Sequence, residues 1–265
     1  MIIGFVGAGR MGAPMVARLT SSGQTVRVLA RSDEAAGAAP VGAESVRTLP
    51  ETAAGADAVV VCVHTDEQVL QVCLEDGLLD AMGSGSVLIV HTTGSPYTVR
   101  DIEAAAAWRG VAVVDAPVSG GPHDIARGEI TTFVGGSDDA VVKARSVLTH
   151  YSNPVLAVGA LGSGQLTKLV NNAVFASNVA ILGAAGRIGR QLGLHEPTLV
   201  QCLQRGSARS AALDGVARAG SAAAFAHSVG EFLGKDIAVV REVAADLEID
   251  LGVLDSILEE DAPAR

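Results

Sequence analysis

The N-terminus combines a short apolar strand, a glycine-rich turn and the start of a helix. Residues 1–5 are apolar, the turn reads GAGRMG, and residues 13–20 favour a helix. In such a GxGxxG turn, the first glycine permits the tight turn, the second lets the backbone approach a pyrophosphate, and the third lets the helix pack on the strand. The unpaired N–H groups of the helix N-terminus attract the phosphates. The pattern predicts a dinucleotide site formed by Gly7, Gly9, Arg10, Met11 and Gly12.

The second predicted strand indicates which dinucleotide fits. It covers Thr25–Ala30 and leads directly into Arg31 and Ser32, and Asp33 is expected to cap the short helix that follows. Sites that prefer NAD usually carry Asp or Glu at this strand end, where it binds the ribose 2′-hydroxyl. Here a guanidinium and a hydroxyl can both donate to a 2′-phosphate. The sequence favours NADP (NADPH) as the cofactor, with Arg31 and Ser32 as ligands; a solvated loop arginine is the other interpretation.

Charge and composition exclude several classes of partner. The 265 residues carry a formal net charge of −10, whereas nucleic acids and anionic membranes attract basic surfaces. We expect no membrane span and no targeting leader, because no apolar run is long enough and no cationic segment precedes the first strand. Cys62, Cys73 and Cys202 lack metal-ligand spacing and are interpreted as reduced, mostly buried thiols. A cytoplasmic protein without a metal site is the expectation.

The first part of the chain alternates valine-rich strands with helices. Near-continuous apolar strands separated by helices are typical of a doubly wound, mostly parallel α/β sheet covered on both faces. Ligands of such sheets bind at the carboxyl ends of the strands. After the first two, the predicted strands are 59–63, 87–90, 111–114, 131–134 and 155–158. These elements predict a dinucleotide-binding domain over residues 1–161.

The pattern changes after residue 161. Residues 165–192 contain no proline and no strand-like alternation, which predicts one long connecting helix. Small residues are dense along it and favour close packing of helices. The remainder shows helical segments separated by glycine and polar residues. An all-α C-terminal domain is therefore predicted over residues 162–265, with more packing surface than so small a domain buries alone, which favours a homodimer.

A glycine-rich loop, DAPVSGG, follows the strand at residues 111–114. Ser119, Gly120 and Gly121 present a hydroxyl and backbone N–H groups together, which suits a carboxylate. A substrate-binding loop and a simple strand connection remain two interpretations of this segment.

Lys168 and Asn172 lie four residues apart on the long helix and therefore share a face. A lysine on an apolar helix face loses hydration, so its pKa falls and it becomes able to give a proton to a carbonyl oxygen. The Asn172 amide would hold the substrate or orient the lysine. A lysine that only extends its ammonium group to solvent is the alternative. Lys235 and Asp236 are expected at the start of a further helix over residues 237–247.

Taken together and in this order, these segments resemble the β-hydroxyacid dehydrogenase family. The match consists of the N-terminal GxGxxGxxM pattern, the DAPVSGG loop, the GxxxKxxxN pattern that ends at Asn172, and the Lys235–Asp236 pair. The resemblance implies a Rossmann-type doubly wound sheet, a long connecting helix and an all-α C-terminal domain. It also implies an oxidoreductase that transfers hydride between NADP(H) and a small 3-hydroxy acid or the corresponding aldehyde or keto acid.

The resemblance assigns roles to individual residues. Lys168 would be the general acid in reduction and the base in oxidation, and Asn172 would orient the substrate. Ser119, Gly120 and Gly121 would bind the substrate carboxylate, and Lys235 would reach the cofactor or substrate. Further cofactor contacts are implied at Val63, His64, Thr65, Thr92 and Thr93.

The sequence departs from the family pattern after the substrate loop and in the loop that contains His64. Arg127 offers an additional anion contact, and His64, His91 and His123 are alternative acid–base candidates. Imine reductases share the architecture, although their lysine position more often holds Asp or Tyr. An imine reductase and a non-catalytic NADP-binding protein therefore remain as alternative functions.

Overall fold

The computed structural model describes residues 1–260, which contain nine strands in one sheet. The strands alternate with helices through the first two thirds of the chain. The strands are β1 (Ile2–Val6), β2 (Thr25–Leu29), β3 (Glu44–Val46), β4 (Ala58–Val61), β5 (Val87–Val90), β6 (Ala112–Asp115), β7 (Val118–Ser119), β8 (Ile130–Gly135) and β9 (Ser152–Gly159).

Eight short or medium helices accompany the sheet, and five helices make up the rest. The first eight are α1 (Gly12–Ser21), α2 (Asp33–Gly37), α3 (Leu49–Ala53), α4 (Asp66–Leu70), α5 (Leu78–Ala81), α6 (Pro96–Ala107), α7 (Pro122–Arg127) and α8 (Asp138–Leu148). The remaining helices are α9 (Ser163–Gln191), α10 (Glu196–Arg205), α11 (Ala211–Ala219), α12 (Ala222–Asp246) and α13 (Val253–Glu260).

The order of the strands is β3-β2-β1-β4-β5-β6-β8-β7, with β9 paired to β8. The pairs from β3 to β6 are parallel, β8 runs antiparallel to β6 and β7, and β9 is parallel to β8. The strand β1 pairs with β2 on one side and with β4 on the other, so the sheet grows in one direction through β3 and then in the opposite direction from β4. The chain therefore has a topological switch point there, and the crevice beyond the carboxyl ends of β1 and β4 is where such sheets bind ligands.

Alternating strand residues supply two hydrophobic clusters, one on each face of the sheet. One cluster joins Ile3, Phe5 and Val60 to the buried residues of α1 and α8. The other joins Val59 and Val61 to the buried residues of α3, α5 and α6. Because both faces are covered, the central strands are apolar along their whole length, which is the pattern that the sequence shows.

The chain divides into two compact units, residues 1–168 and residues 169–265, and the division falls within α9. Unit 1 contains the sheet and its helices. The described part of unit 2 consists of α9 beyond its first turns and α10–α13, with Phe175 and Phe225 packed edge to face at 6.3 Å. The predicted mixed α/β fold with a long helix and a helical C-terminal region is confirmed. The functional boundary expected after residue 161 stays a prediction.

The predicted start of one helix was wrong. The helix expected over residues 237–247 begins at Ala222, because Ser221 caps it by accepting from the N–H of Ala224 and an alanine-rich run follows. Lys235 and Asp236 therefore lie inside a helix and not at its start. The three thiols were expected to be mostly buried: Cys73 is buried, Cys62 is partly buried and Cys202 is exposed, and burial raises the pKa of the Cys73 thiol to about 12.

Among residues 1–260, α9 is the one helix long and apolar enough to cross a membrane by length and composition, with a mean hydropathy of 1.4. A helix that packs inside a protein meets the same criteria. Gln165, Asn172 and Ser177 are buried polar residues along it, and their side chains bond to protein groups. These contacts indicate a helix that packs against protein.

Candidate functional site

The turn after β1 excludes side chains at two of its glycines and leaves open space at a third. Gly7 has φ +95°, and a Cβ there would lie 2.2 Å from the carbonyl oxygen of Cys62. A Cβ at Gly12 would lie 2.1 Å from the Gly7 oxygen, so neither position admits a larger residue. In contrast, a Cβ at Gly9 would meet no protein atom within 4 Å. The backbone at Gly9 therefore faces open space at the N-terminus of α1, as the sequence predicted for a phosphate-binding turn.

A cavity of about 300 Å³ lies beside this turn within unit 1. It is bounded by the ends of β1 and β2 and by α4 with the π-helical turn that follows it, over Gln71–Glu75. The lining residues are Val6, Gly7, Leu29, Arg31, Val63, Gln68, Gln71 and Val72. The cavity lies beyond the carboxyl ends of β1 and β2, where the adenosine half of a dinucleotide fits.

Arg31 lines this cavity and retains free hydrogen-bonding capacity. Its side chain is 61% exposed, and one terminal nitrogen lies 3.1 Å from Oδ2 of Asp76. A guanidinium has five N–H donors, so most of them remain available to a phosphate. Ser32, and not Asp33 as expected, caps α2, because its Oγ accepts from the N–H of Ala35. The Ser32 hydroxyl hydrogen can still donate to a ligand, whereas Asp33 pairs with Arg47.

The loop after β4 is held by the residues around it. Thr92 Oγ1 accepts from the N–H of Val63 at 3.1 Å and donates to its carbonyl at 3.0 Å. The N–H of His64 donates to Gln68 at 2.9 Å, and Thr65 forms a capping box with Gln68 at the start of α4. Val63, Thr65 and the exposed His64 therefore occupy a fixed loop at the carboxyl edge of the sheet.

His91 is a buried structural residue of this unit. Its ring contacts the Ala116 carbonyl oxygen through Nδ1 at 2.5 Å and the Tyr151 hydroxyl through Nε2 at 2.8 Å. A carbonyl oxygen can only accept, so Nδ1 carries the proton and Tyr151 donates to Nε2. Burial lowers the pKa of His91 to about 4, opposed in part by the bond to Ala116. His91 is therefore neutral near pH 7 and ties β5 to the segment that leads into the substrate loop.

Asp115 and Gln165 form a buried polar centre that joins three elements. Asp115, at the end of β6 and 0% exposed, accepts from the N–H groups of Gly162 at 2.8 Å and Gln165 at 2.7 Å. The Gln165 side chain donates to the Thr92 carbonyl at 2.7 Å and accepts from the N–H of Gly94 at 3.1 Å. Burial raises the pKa of Asp115, and these N–H donors oppose that shift. The first turn of α9 is thus fixed to the ends of both β5 and β6.

This junction also explains the glycine at position 164. A Cβ there would lie 2.7 Å from the carbonyl oxygen of Phe133 and 2.8 Å from Oδ2 of Asp115. Only glycine lets the start of α9 approach β6 and β8 so closely. A carboxylate beside the unpaired N–H groups of a helix N-terminus is favourable, since the groups would otherwise be buried without partners.

The predicted substrate loop lies directly after this centre. Ser119 pairs with Thr131 of β8, and Gly120 has φ +130°. The N–H of Gly121 donates to Oδ2 of Asp124 at 2.7 Å. Ser119 and Gly121 are partly buried and Gly120 is exposed, so the loop is reachable by a ligand.

Two residues after the loop behave differently from the expectation that they are free to bind. Arg127 pairs with Asp124 at 2.6 Å and with Glu129 at 2.6 Å, so its charge is already balanced inside unit 1. His123 is exposed and lies 3.4 Å from Asp124. The pairing of Arg127 with two carboxylates does not support an additional anion contact at that residue.

Lys168 and Asn172 share a face of α9, as their spacing predicted. Lys168 is partly buried and lies one turn beyond Gln165. Asn172 is 3% exposed, and its Nδ2 donates to Oδ2 of Asp236 at 2.6 Å. Oδ1 of Asp236 lies 3.2 Å from the Lys235 ammonium, which makes an ion pair without a well-aligned hydrogen bond. Unit 2 therefore brings Asn172 and Lys235 together through one buried carboxylate.

Sequence reasoning missed Gln165 and did not give Asp115 a role. The signal for Gln165 was its position, because residues three apart on a helix are neighbours and Lys168 follows it by three. The signal for Asp115 was an acidic residue at the end of an apolar strand, which must find hydrogen-bond donors once it is buried.

Comparisons with known proteins agree with this description. A family model described as the NAD binding domain of 6-phosphogluconate dehydrogenase matches residues 2–159. A second, described as NAD-binding of NADP-dependent 3-hydroxyisobutyrate dehydrogenase, matches residues 162–259. The chain is 34% identical over 214 residues to an NAD-dependent L-serine dehydrogenase of Pseudomonas aeruginosa, over 80% of this chain and 72% of the relative.

Solved structures give the same result at the level of the fold. The 3-hydroxyisobutyrate dehydrogenase of Mycobacterium tuberculosis, solved with L-serine, has a TM-score of 0.85 and 26% identity, covering 97% of this chain and 91% of that one. An imine reductase of Streptomyces aurantiacus has a TM-score of 0.67 and 18% identity, covering 98% of this chain and 92% of that one, which is a likeness of fold alone.

Proposed function

The chain belongs to the β-hydroxyacid dehydrogenase family, and we propose that it is an NADPH-dependent enzyme that interconverts a small 3-hydroxy acid and the matching aldehyde or keto acid. It is an NAD(P)-dependent oxidoreductase of the hydroxyacid dehydrogenase type. The observation that carries the finer proposal is the buried centre at Asp115 and Gln165. It connects the loop at Thr92, the base of the loop at Ser119 and the helix turn before Lys168.

The residues present fit a dinucleotide. The open space before Gly9 and the cavity beside it accept the pyrophosphate and the adenosine half, and Thr92 and Thr93 lie at the strand end expected for the nicotinamide. The bound cofactor supplies the hydride. The remaining chemistry, which is binding a carboxylate, orienting a carbonyl and moving one proton, belongs to the protein.

Arg31 and Ser32 support NADPH as the cofactor. The residues that directly follow β2 are Ala30, Arg31 and Ser32, without an acidic residue, and Arg31 offers donors at the edge of the cavity. Arginine binds phosphate through parallel charge-assisted bonds that a ribose hydroxyl cannot match. The L-serine dehydrogenase relative is NAD-dependent by its name, so the preference rests on these two residues of this chain.

Lys168 is the proposed proton donor and acceptor. During reduction its ammonium group protonates the oxygen of the substrate carbonyl as hydride reaches the carbon, and during oxidation its amine takes that proton back. Ser119 and Gly120 would supply the donors for the substrate carboxylate, and Gly121 would shape the loop, because its own N–H already donates to Asp124. Together these groups would orient the carbonyl, which contributes to catalysis by removing the entropy cost of alignment.

Asn172 and Lys235 complete the proposal from unit 2. Asp236 orients the Asn172 amide by accepting one of its hydrogens, and Oδ1 of that amide accepts from Nδ2 of Asn171 at 3.2 Å, which leaves one lone pair of Oδ1 for a substrate hydroxyl. Lys235 adds a positive charge for the substrate or the cofactor. Both roles follow the family pattern in the sequence.

A homodimer is the proposed assembly. Along α9 and at the residue directly after it, the apolar residues Val170, Val174, Ile181, Ile188 and Leu192 are each between 48% and 70% exposed. Their spacing of four, seven, seven and four residues aligns them on one face of the helix. An exposed apolar stripe of this length favours association with a second copy, since contiguous apolar surface is costly in water. A cytoplasmic location stays a prediction.

Imine reduction is the second candidate function, favoured by the likeness of fold to the Streptomyces enzyme. The lysine at position 168 favours hydroxy acids, because a positioned ammonium group serves a developing alkoxide.

The test is a panel of aldehyde acids, keto acids and cyclic imines, with consumption of NADPH and NADH followed by absorbance. We expect turnover of a carbonyl acid with NADPH. Turnover of imines alone would replace the proposal with the second candidate. Tight binding of NADPH with no turnover of any compound would indicate a non-catalytic NADP-binding protein.

A further inference from the structure

Gln165 is the buried side chain through which two parts of the proposed site touch. It is 1% exposed and lies in the first turn of α9. Its Nε2 donates to the carbonyl of Thr92, and its Oε1 accepts from the N–H of Gly94, so both ends of the amide are satisfied. No local rule of helix formation requires a glutamine at this position, because neither partner is in the helix.

The partners of Gln165 are themselves held in place. Thr92 makes two hydrogen bonds to the backbone of Val63, and its neighbour His91 is anchored to Ala116 and Tyr151. The loop at residues 92–94 therefore has little freedom to follow a displaced helix. If the side chain at position 165 is changed, the first turn of α9 is therefore the part that shifts.

That turn leads directly to Lys168. At a rise of about 1.5 Å per residue, the two residues are roughly 4.5 Å apart along the helix axis and adjacent on its surface. A displacement of about 1 Å in a reacting group can lower a rate roughly a hundredfold. The position of Lys168 relative to the loop at Thr92 thus depends on the Gln165 amide.

We propose that Gln165 is a positioning residue that fixes the position of Lys168 relative to the loop at residues 92–94. Asp115 assists by holding the backbone of the same turn, and the side chain of Gln165 spans from α9 to that loop. The inference rests on the proposed function in one respect, namely that Lys168 exchanges the proton.

The Gln165→Glu variant provides the sharpest test. A protonated carboxyl group has the shape of the amide, donates to the Thr92 carbonyl and accepts from Gly94. Once ionised, it has no donor and places a negative charge against a carbonyl oxygen. Burial raises the pKa of a carboxyl group, so the switch should fall above the ordinary range for glutamate.

We expect the ratio of kcat for Gln165→Glu to that of the unaltered enzyme to be close to one in acid and to fall roughly a hundredfold as the pH rises. The KM for the substrate and the stoichiometry of NADPH binding should not change. Gln165→Met, which is similar in size and makes neither bond, should show the low ratio at every pH. Gln201→Glu, on an exposed position of α10, is the matched control and should show a ratio of one throughout.

A ratio for Gln165→Glu that does not vary with pH would overturn the proposal. The proposal would also be overturned if kcat fell in proportion to the stoichiometry of NADPH binding, since that would indicate unfolding. If the unaltered chain reduces no compound in the panel, the proposed function fails, but the inference about Gln165 can still be tested. The measured quantity is then the rate at which acetic anhydride modifies Lys168, in place of kcat. Gln165→Met should then raise that rate, and an unchanged rate would contradict the inference.

Discussion

At the scale of single residues, Arg31 has the clearest consequence for cofactor choice. It lies beside the 300 Å³ cavity and shares only one of its donors with Asp76. Its partner is 32% exposed, and an exposed ion pair of this kind contributes little to stability, so a phosphate can compete for the guanidinium.

Arg31→Leu should weaken NADPH binding about 10- to 100-fold, because hydrogen bonds to charged groups are worth about 1.5–3 kcal/mol. NADH binding should not change. Fluorescence titration of both cofactors, at low and at high salt, measures this. The difference between the cofactors should shrink as salt screens the charges.

Arg145→Leu, which removes an exposed arginine of α8, is the control and should leave both affinities unchanged. Equal weakening of NADPH and NADH by Arg31→Leu would mean that Arg31 supports the fold of the site and does not read the 2′-phosphate.

The protonation of His91 affects the free energy of unfolding. Its pKa is about 4 in the folded protein and about 6.5 in an unfolded chain. Between these values the unfolded chain binds a proton that the folded protein does not. The contribution is therefore fully present above pH 6.5 and is lost as the pH falls toward 4, by about 3 kcal/mol.

Urea unfolding at a series of pH values tests this. His91→Asn should keep a donor toward the Ala116 carbonyl but lack the titration, so its free energy of unfolding should vary less between pH 6.5 and 4 than that of the unaltered protein. His227→Asn, at an exposed position, should retain the original pH dependence. Identical profiles for His91→Asn and the unaltered protein would contradict the assignment.

At the scale of elements, α9 has two different ends. Its first turn is fixed to β5 and β6 by buried hydrogen bonds, whereas its later turns carry the apolar stripe from Val170 to Leu192. The first end serves the site, and the second offers a surface to a partner.

The double variant Ile181→Glu with Ile188→Glu should convert a dimer to a monomer, because it places charges in the centre of the stripe. Sedimentation velocity measures the change. Val142→Glu, at a 69% exposed apolar position of α8, should leave the assembly unchanged. A monomeric unaltered protein at high concentration would contradict the proposed homodimer.

The sheet could be predicted from sequence because its strands are apolar on both faces. The runs VVVCV and VLIV are short and rich in β-branched residues, which favours a buried strand over a buried helix. The short strand β3 and the two-residue β7 escaped prediction, since so few residues give no usable period. The π-helical turn at Gln71–Glu75 has a composition that also suits an ordinary α-helix, because the two differ in hydrogen bonding.

Local spacing gave the candidate site residues but not the distant contacts around them. Gly7, Lys168 and the loop at Ser119 were all proposed from motifs, and their roles stay predictions. The hydrogen bonds of Gln165 join residues 71 and 73 positions apart, and those to Asp115 join residues 47 and 50 apart. No local pattern encodes such pairs, so the centre that holds the site together appeared only in the structure.

At the scale of the whole molecule, the candidate residues fall in both units. Unit 1 contains the glycine-rich turn, the predicted substrate loop and Lys168, and unit 2 contains Asn172 with its partner Asp236, which also pairs with Lys235.

The most direct measurement is the single-turnover rate of Lys168→Ala with NADPH already bound and a carbonyl acid supplied. A positioned acid contributes about a hundred- to ten-thousand-fold, so the rate should fall by that factor while the dissociation constant of NADPH stays the same. Lys143→Ala, which removes the lysine that bonds to Gly85 on the surface, should keep the full rate. An unchanged rate in Lys168→Ala would contradict the central claim.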